Sequence, residues 1–127
     1  MNVRGPWIEH LMQDEGLSYL QASEMLEGWE FVPCVYEDRH MATILKKGAE
    51  IHLAIYKQYR KHYMTARRLR AFLSPLLEQE HFLTTKLGRD DHTESFIERL
   101  GFIEMGQDFQ GTRTYILTDI APLEKRT

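Results

Sequence analysis

The sequence predicts an α/β fold, a mixed sheet with helices on its faces, in one domain over residues 1–127. Three observations lead there. Segments of helical and strand period follow one another in the order α-α-β-β-β-α-β-α-β-β. The step from residue 50 to 87 reads β-α-β, which places two parallel strands around a right-handed crossover, whereas the three strands before the long helix read as an antiparallel meander. A chain of 127 residues that is 43% hydrophobic, with no repeat or low-complexity tract, can bury its own core.

The elements follow in order. Gly5-Pro6 opens a first helix whose Ile8, Leu11 and Met12 recur at spacings of three and four, and Gly16 ends it. Ser18 and Gln21 have the spacing of a capping box, so a second helix runs through Ala22, Met25 and Leu26 to Gly28. "EFVPCVYED" is the first strand, and Pro33 predicts an edge or a bulge there. "HMATILKKGAE" is the second, turning at Lys46-Lys47-Gly48. In "EIHLAIYKQY", Ile51, Leu53 and Ile55 alternate with His52, Ala54 and Tyr56, as a half-buried strand should. Leu69, Phe72, Leu73 and Leu76 form the stripe of the long helix, with Thr65 as its N-cap and Pro75 predicting a kink or a break near Ser74. "HFLTTKL" is a strand. Asp91 and Glu94 then have the spacing of a cap and its N3 partner, Phe96, Ile97 and Leu100 face inward, and Gly101 is the stop. "FIEMGQ" and "TRTYILTDI" are the last two strands, around a turn at "DFQG".

Composition excludes several functions. The single cysteine, Cys34, allows no internal disulfide and suits a reducing compartment. The start of the chain is broken by Glu9, His10 and Asp14 and does not read as a secretion signal, so the protein is not expected to be secreted. No apolar run has the length of a membrane span. The six histidines are scattered, and no metal site is expected. The net charge of −3 hides an asymmetry: residues 51–77 hold six Lys/Arg and no acid, which leaves ten bases against nineteen acids elsewhere. Such a local excess is either an anion-facing surface or a solvated helix face.

The element order, together with Leu100, Gly101 and Phe102 after a late helix, resembles the GNAT superfamily of N-acetyltransferases. The resemblance covers nearly the whole chain in element order but rests on one short motif in residues. The family's first strand is missing here, or vestigial in "MNVR". It implies acetyl-CoA, or another acyl-CoA, as cofactor. The family's pyrophosphate loop, Arg/Gln-x-x-Gly-x-Gly/Ala, corresponds to "QYRKHYMTARR". On that ground Tyr56, Lys57, Arg60, Lys61, His62, Tyr63, Met64, Thr65 and Ala66 are the candidate cofactor contacts, joined by Asp90, where the family often has Asn. Arg60 fits the basic position, but Lys61, Tyr63 and Thr65 fill the glycine positions. Ile97 stands where many members carry the Tyr that protonates the leaving thiolate. Glu50 and His52 are the candidate bases on the central strand, an imidazole being suited to deprotonating an amine near neutrality.

The fold signal is thus present and two of three chemical signals are absent. That combination, with "DHTESFIERLGF", resembles the small GNAT-like proteins of tailed phages, some of them internal virion or head-assembly proteins. The resemblance implies a phage or host protein as partner, and a location in the host cytoplasm or the virion. It leaves two functions open: a diverged accessory protein without efficient acetyl transfer, or an acyl-CoA-dependent N-acyltransferase with a glycine-free loop. The bases of residues 57–70, interleaved with Tyr56, Tyr59 and Tyr63, also suit nucleic acid, with Arg67, Arg68 and Arg70 as its contacts.

Overall fold

The computed structural model describes residues 1–60 and 63–118. Its elements are α1 (Gly5–Glu9), α2 (Tyr19–Met25), β1 (Glu30–Tyr36), β2 (Arg39–Lys47), β3 (Glu50–Ile55), α3 (Ala66–Glu80), β4 (Leu83–Leu87), α4 (Glu94–Arg99), β5 (Ile103–Gln107) and β6 (Arg113–Leu117). The order is the one the sequence predicts. The six strands form one mixed sheet in the order β1-β2-β3-β4-β6-β5. Residues 1–4 form no strand, so the resembled family's first strand is missing among the described residues. The last residues of "TRTYILTDI" lie outside the described residues.

The chain divides into two compact units. The first is Met1–Lys47 with His52–Thr65; the second is Gly48–Ile51 with the chain from Ala66 onward.

In the first unit, α1 widens into a π-helical turn, His10–Asp14. The extra residue in that turn shifts the faces, so Leu11 is buried while Met12 is exposed. The capping box of α2 forms in full: the Ser18 hydroxyl accepts from the Gln21 N–H (3.2 Å), and the Gln21 side chain accepts from the Ser18 N–H (2.9 Å). Ala22 and Leu26 turn inward. Met25, expected beside them, is exposed, because α2 buries only a narrow stripe. Leu11, Ala22, Leu26 and Leu45 make a core ringed by Trp7, Ile8, Leu17, Trp29 and Phe31. The Trp7 indole N–H donates to the Thr43 carbonyl (2.9 Å) and ties α1 to β2. Pro33 lies on the edge strand β1, which bulges between Cys34 and Val35. Burial pushes the Cys34 thiol up to about 12, leaving it inert.

The start of β3, Glu50 and Ile51, belongs to the second unit and runs parallel to β4, with Glu50 paired to Thr84. The alternation expected of β3 is not seen: Ile51 and Ala54 are buried and the rest half-buried, as suits an inner strand with both faces partly covered. The long helix α3 does not break at Pro75 but continues to Glu80. The Ser74 hydroxyl donates to the Arg70 carbonyl one turn back (3.2 Å). Leu69, Leu73, Leu76 and Leu77 are its buried side, and α3 lies against β4.

The joint from α4 to β5 is a Schellman stop. The Gly101 N–H donates to the Glu98 carbonyl (3.0 Å), and the Phe102 N–H donates to the Ile97 carbonyl (3.3 Å). Gly101 has φ +107°, a conformation that a side chain would strain. Leu100 and Phe102 on either side are buried. The other end of α4 differs from expectation. Thr93 is the N-cap position and makes no side-chain cap. Asp91 instead accepts from the Thr93 N–H (3.0 Å) and hydroxyl (2.7 Å), closing the turn before the helix. Glu94 lies 3.8 Å from Arg113.

Candidate functional site

The segment that follows β3 carries most of the candidate cofactor residues, and it begins in the first unit. Tyr56 leaves the strand with its N–H donating to the Met41 carbonyl (3.0 Å). Its ring meets His40 edge-on, with centroids 5.6 Å apart. Its hydroxyl packs so closely on Gly5 that any side chain there would collide with it. Burial, and then the Glu9 carboxylate, push the phenol above its ordinary value, so Tyr56 stays a neutral hydroxyl. His40 hydrogen-bonds the Thr43 hydroxyl (2.8 Å), and burial holds its imidazole below the ordinary value. Tyr56 is therefore a packing residue that closes α1 onto the sheet.

Lys57 begins a single 3-10 turn, Lys57–Tyr59, and Arg60 follows it. Both are drawn to one carboxylate. The Lys57 ammonium lies 3.2 Å from Asp14, and the Arg60 guanidinium lies 3.4 Å from it. His10, one turn back, approaches the same group at 3.0 Å. The imidazole first, then Lys57 and Arg60, hold the Asp14 carboxyl down at about 2. Two further hydrogen bonds fix the turn. The Lys57 N–H donates to the Glu9 carboxylate (3.4 Å), and the Arg60 Nε–H donates to the Ile55 carbonyl (3.0 Å). Sequence reasoning missed Asp14. The His10/Asp14 spacing of one helical turn was visible, but the 43-residue separation from Lys57 hides the third partner.

The rest of the segment is varied. Lys61 and His62 lie outside the described residues. Tyr63 meets Tyr59 edge-on at 5.6 Å, with the Arg39 guanidinium 5.8 Å from its ring. Met64 is buried and its N–H donates to the Tyr59 carbonyl (3.0 Å). Thr65 is exposed immediately before α3.

In the second unit, Ala66 begins α3, whose first turn holds no acid. Arg67 is exposed and Arg68 half-buried. Arg70 is buried and donates to the Arg99 carbonyl at the end of α4 (3.2 Å). A cation at a helix C-terminus is favourable, so Arg70 holds the α4 stop in place and offers no charge to a surface ligand. Asp90 is exposed in the turn after β4. Ile97 is half-buried and presents no proton donor.

The two candidate bases are both on β3. Glu50 is half-buried at its start, opposite Thr84. His52 is half-buried with its ring edge-on to Trp29, centroids 5.4 Å apart and planes at 80°. Among the described residues, no group of three His, Cys, Asp or Glu could hold a metal ion, and no helix is long and apolar enough to cross a membrane.

No protein-family model and no curated protein matches the sequence. Solved structures do match in fold. A proposed acetyltransferase from Acinetobacter baylyi superposes with a TM-score of 0.64 at 13% identity, over 94% of this chain and 85% of that one. A Bacillus subtilis acetyltransferase in complex with CoA gives 0.61 at 13%, over 86% and 88%. A GNAT-family acetyltransferase from Bacillus anthracis gives 0.62 at 10%, over 90% and 86%. The protein has the GNAT acetyltransferase fold.

Proposed function

We propose that this GNAT-fold protein is a single domain that has diverged from efficient acetyl transfer. On this reading it acts through its surfaces as an accessory protein of a tailed phage, in the virion or in head assembly. The observation that carries the loss of transfer is the engagement of Lys57 and Arg60 by Asp14. A pyrophosphate needs free cations and close access to backbone N–H groups. Here Lys57 and Arg60 face a carboxylate and the segment has no glycine. Ile97 removes the proton donor that the resemblance would place on α4. On this reading the described residues of this segment do not fit an acyl-CoA pyrophosphate. The phage assignment rests on the pattern of "DHTESFIERLGF". The partner is a phage or host protein, or nucleic acid met by the exposed Arg67.

The test is thermal unfolding with and without millimolar acetyl-CoA. A ligand that binds the folded state raises the melting temperature by mass action, and none should be seen.

The second reading, an acyl-CoA-dependent N-acyltransferase with a glycine-free loop, is favoured by the start of α3. Arg67 stands in a first turn without an acid, where the helix dipole adds positive charge. The Bacillus subtilis structure of the same fold is a CoA complex. In that case Glu50 or His52 is the base, and acetyl-CoA consumption with an amine acceptor should be abolished in Glu50→Gln or His52→Ala.

A further inference from the structure

We propose that the turn joining β5 to β6, together with the turn after β4, forms a nucleotide-binding hollow in the second unit. A base stacks on Phe109 and its phosphate is held by Arg89. This surface shares no residue with the basic segment 57–70, and it carries no part of the acetyl-transfer question.

The hollow has a volume of about 470 Å³, opens to solvent, and is lined by Arg89, Gln107, Phe109, Gln110, Gly111 and Arg113. Phe109 is 98% exposed, so its ring buries nothing in its own chain and has no folding role. The turn that presents it is well tied. The Asp108 carboxylate accepts from the N–H groups of Gln110 (2.9 Å) and Thr112 (3.0 Å), and the Asp108 N–H donates to the Thr112 carbonyl (3.0 Å). An aromatic ring on a fixed turn loses little freedom when a flat ligand stacks on it.

The two arginines are held differently. Arg113 donates to the carbonyls of Asp91 (2.6 Å) and Gly88 (3.3 Å) and lies 3.8 Å from Glu94, so it fixes the wall of the hollow. The aliphatic stem of Arg89 lies over Gly111, with its carbons 3.1–3.3 Å from where a side chain at that position would begin. Its guanidinium has no partner among the described residues and is open to an anion. Gln107 and Gln110 each offer an amide donor and a carbonyl acceptor, the pair that a base edge presents in return. An aromatic face, a free cation and two amides are the chemistry of nucleotide recognition. An acidic peptide would use the arginine and leave the ring and the amides without a role.

The experiment is fluorescence anisotropy of a fluorescein-labelled deoxythymidine decamer on the full chain at low salt, with thymidine monophosphate as competitor. Binding should weaken about tenfold in Phe109→Ala. In Arg89→Ala it should weaken and lose about one unit of salt slope. Both side chains are exposed, so circular dichroism should match the parent protein. Competition by the monophosphate at an affinity equal to the decamer's assigns the hollow to free nucleotides, and a much weaker monophosphate assigns it to single strands. The proposal is overturned if neither probe binds, if Phe109→Ala binds equally well, or if a glutamate decamer binds with the same dependence on Phe109.

Discussion

The α4–β5 joint carries the residue motif by which the chain resembles acetyltransferases, and the segment after β3 departs from their glycine-rich loop. At the joint, Gly101 and the two Schellman hydrogen bonds stop the helix, and buried Leu100 and Phe102 anchor it. Each part serves folding and would be kept whether or not the protein is an enzyme. After β3, nothing in folding requires a phosphate site, and Lys57 and Arg60 are turned to Asp14 instead. The difference teaches that residues which hold a fold together can be kept while the charges of a neighbouring segment are taken up in local ion pairs.

The comparison can be broken at either end. The largest effect should come from the joint. Phe102→Ala removes a ring that is 3% exposed and should cost about 3–5 kcal/mol in urea unfolding. A loss below about 1 kcal/mol would mean that the joint is not an anchor. Gly101→Ala should cost less, about 1–2 kcal/mol, the penalty for a side chain at positive φ. The smallest effect should come from Asp14→Asn, since exposed ion pairs contribute little. Its signature is in the pH dependence. The folded value for Asp14 is about 2, below its ordinary 3.8, so its contribution is complete above about pH 4 and is lost as pH falls through 2. The melting temperatures of parent and variant should therefore converge between about pH 4 and pH 2. Curves that stay parallel over that range would show that Asp14 is not held by these partners.

The elements were legible in the sequence because their signals are local. Ser18 and Gln21 are three residues apart, and both halves of their capping box form. Leu100-Gly101-Phe102 states its own stop. Errors arose where distant partners decide. Of the kink or break expected at Pro75, the break does not occur, and α3 continues as one helix over Leu73, Leu76 and Leu77. Asp91 resembles an N-cap by spacing but closes the preceding turn with Thr93. Arg70 reads as one base in a basic run, yet it is buried on a carbonyl 29 residues away. The Asp14 cluster was hidden in the same way. A charge count over residues 51–77 shows six bases, and only the fold shows that two of them are already paired.

The most direct measurement is isothermal titration of acetyl-CoA into the wild-type protein. The account predicts no saturable heat up to millimolar ligand. A saturable isotherm with a micromolar dissociation constant would contradict it.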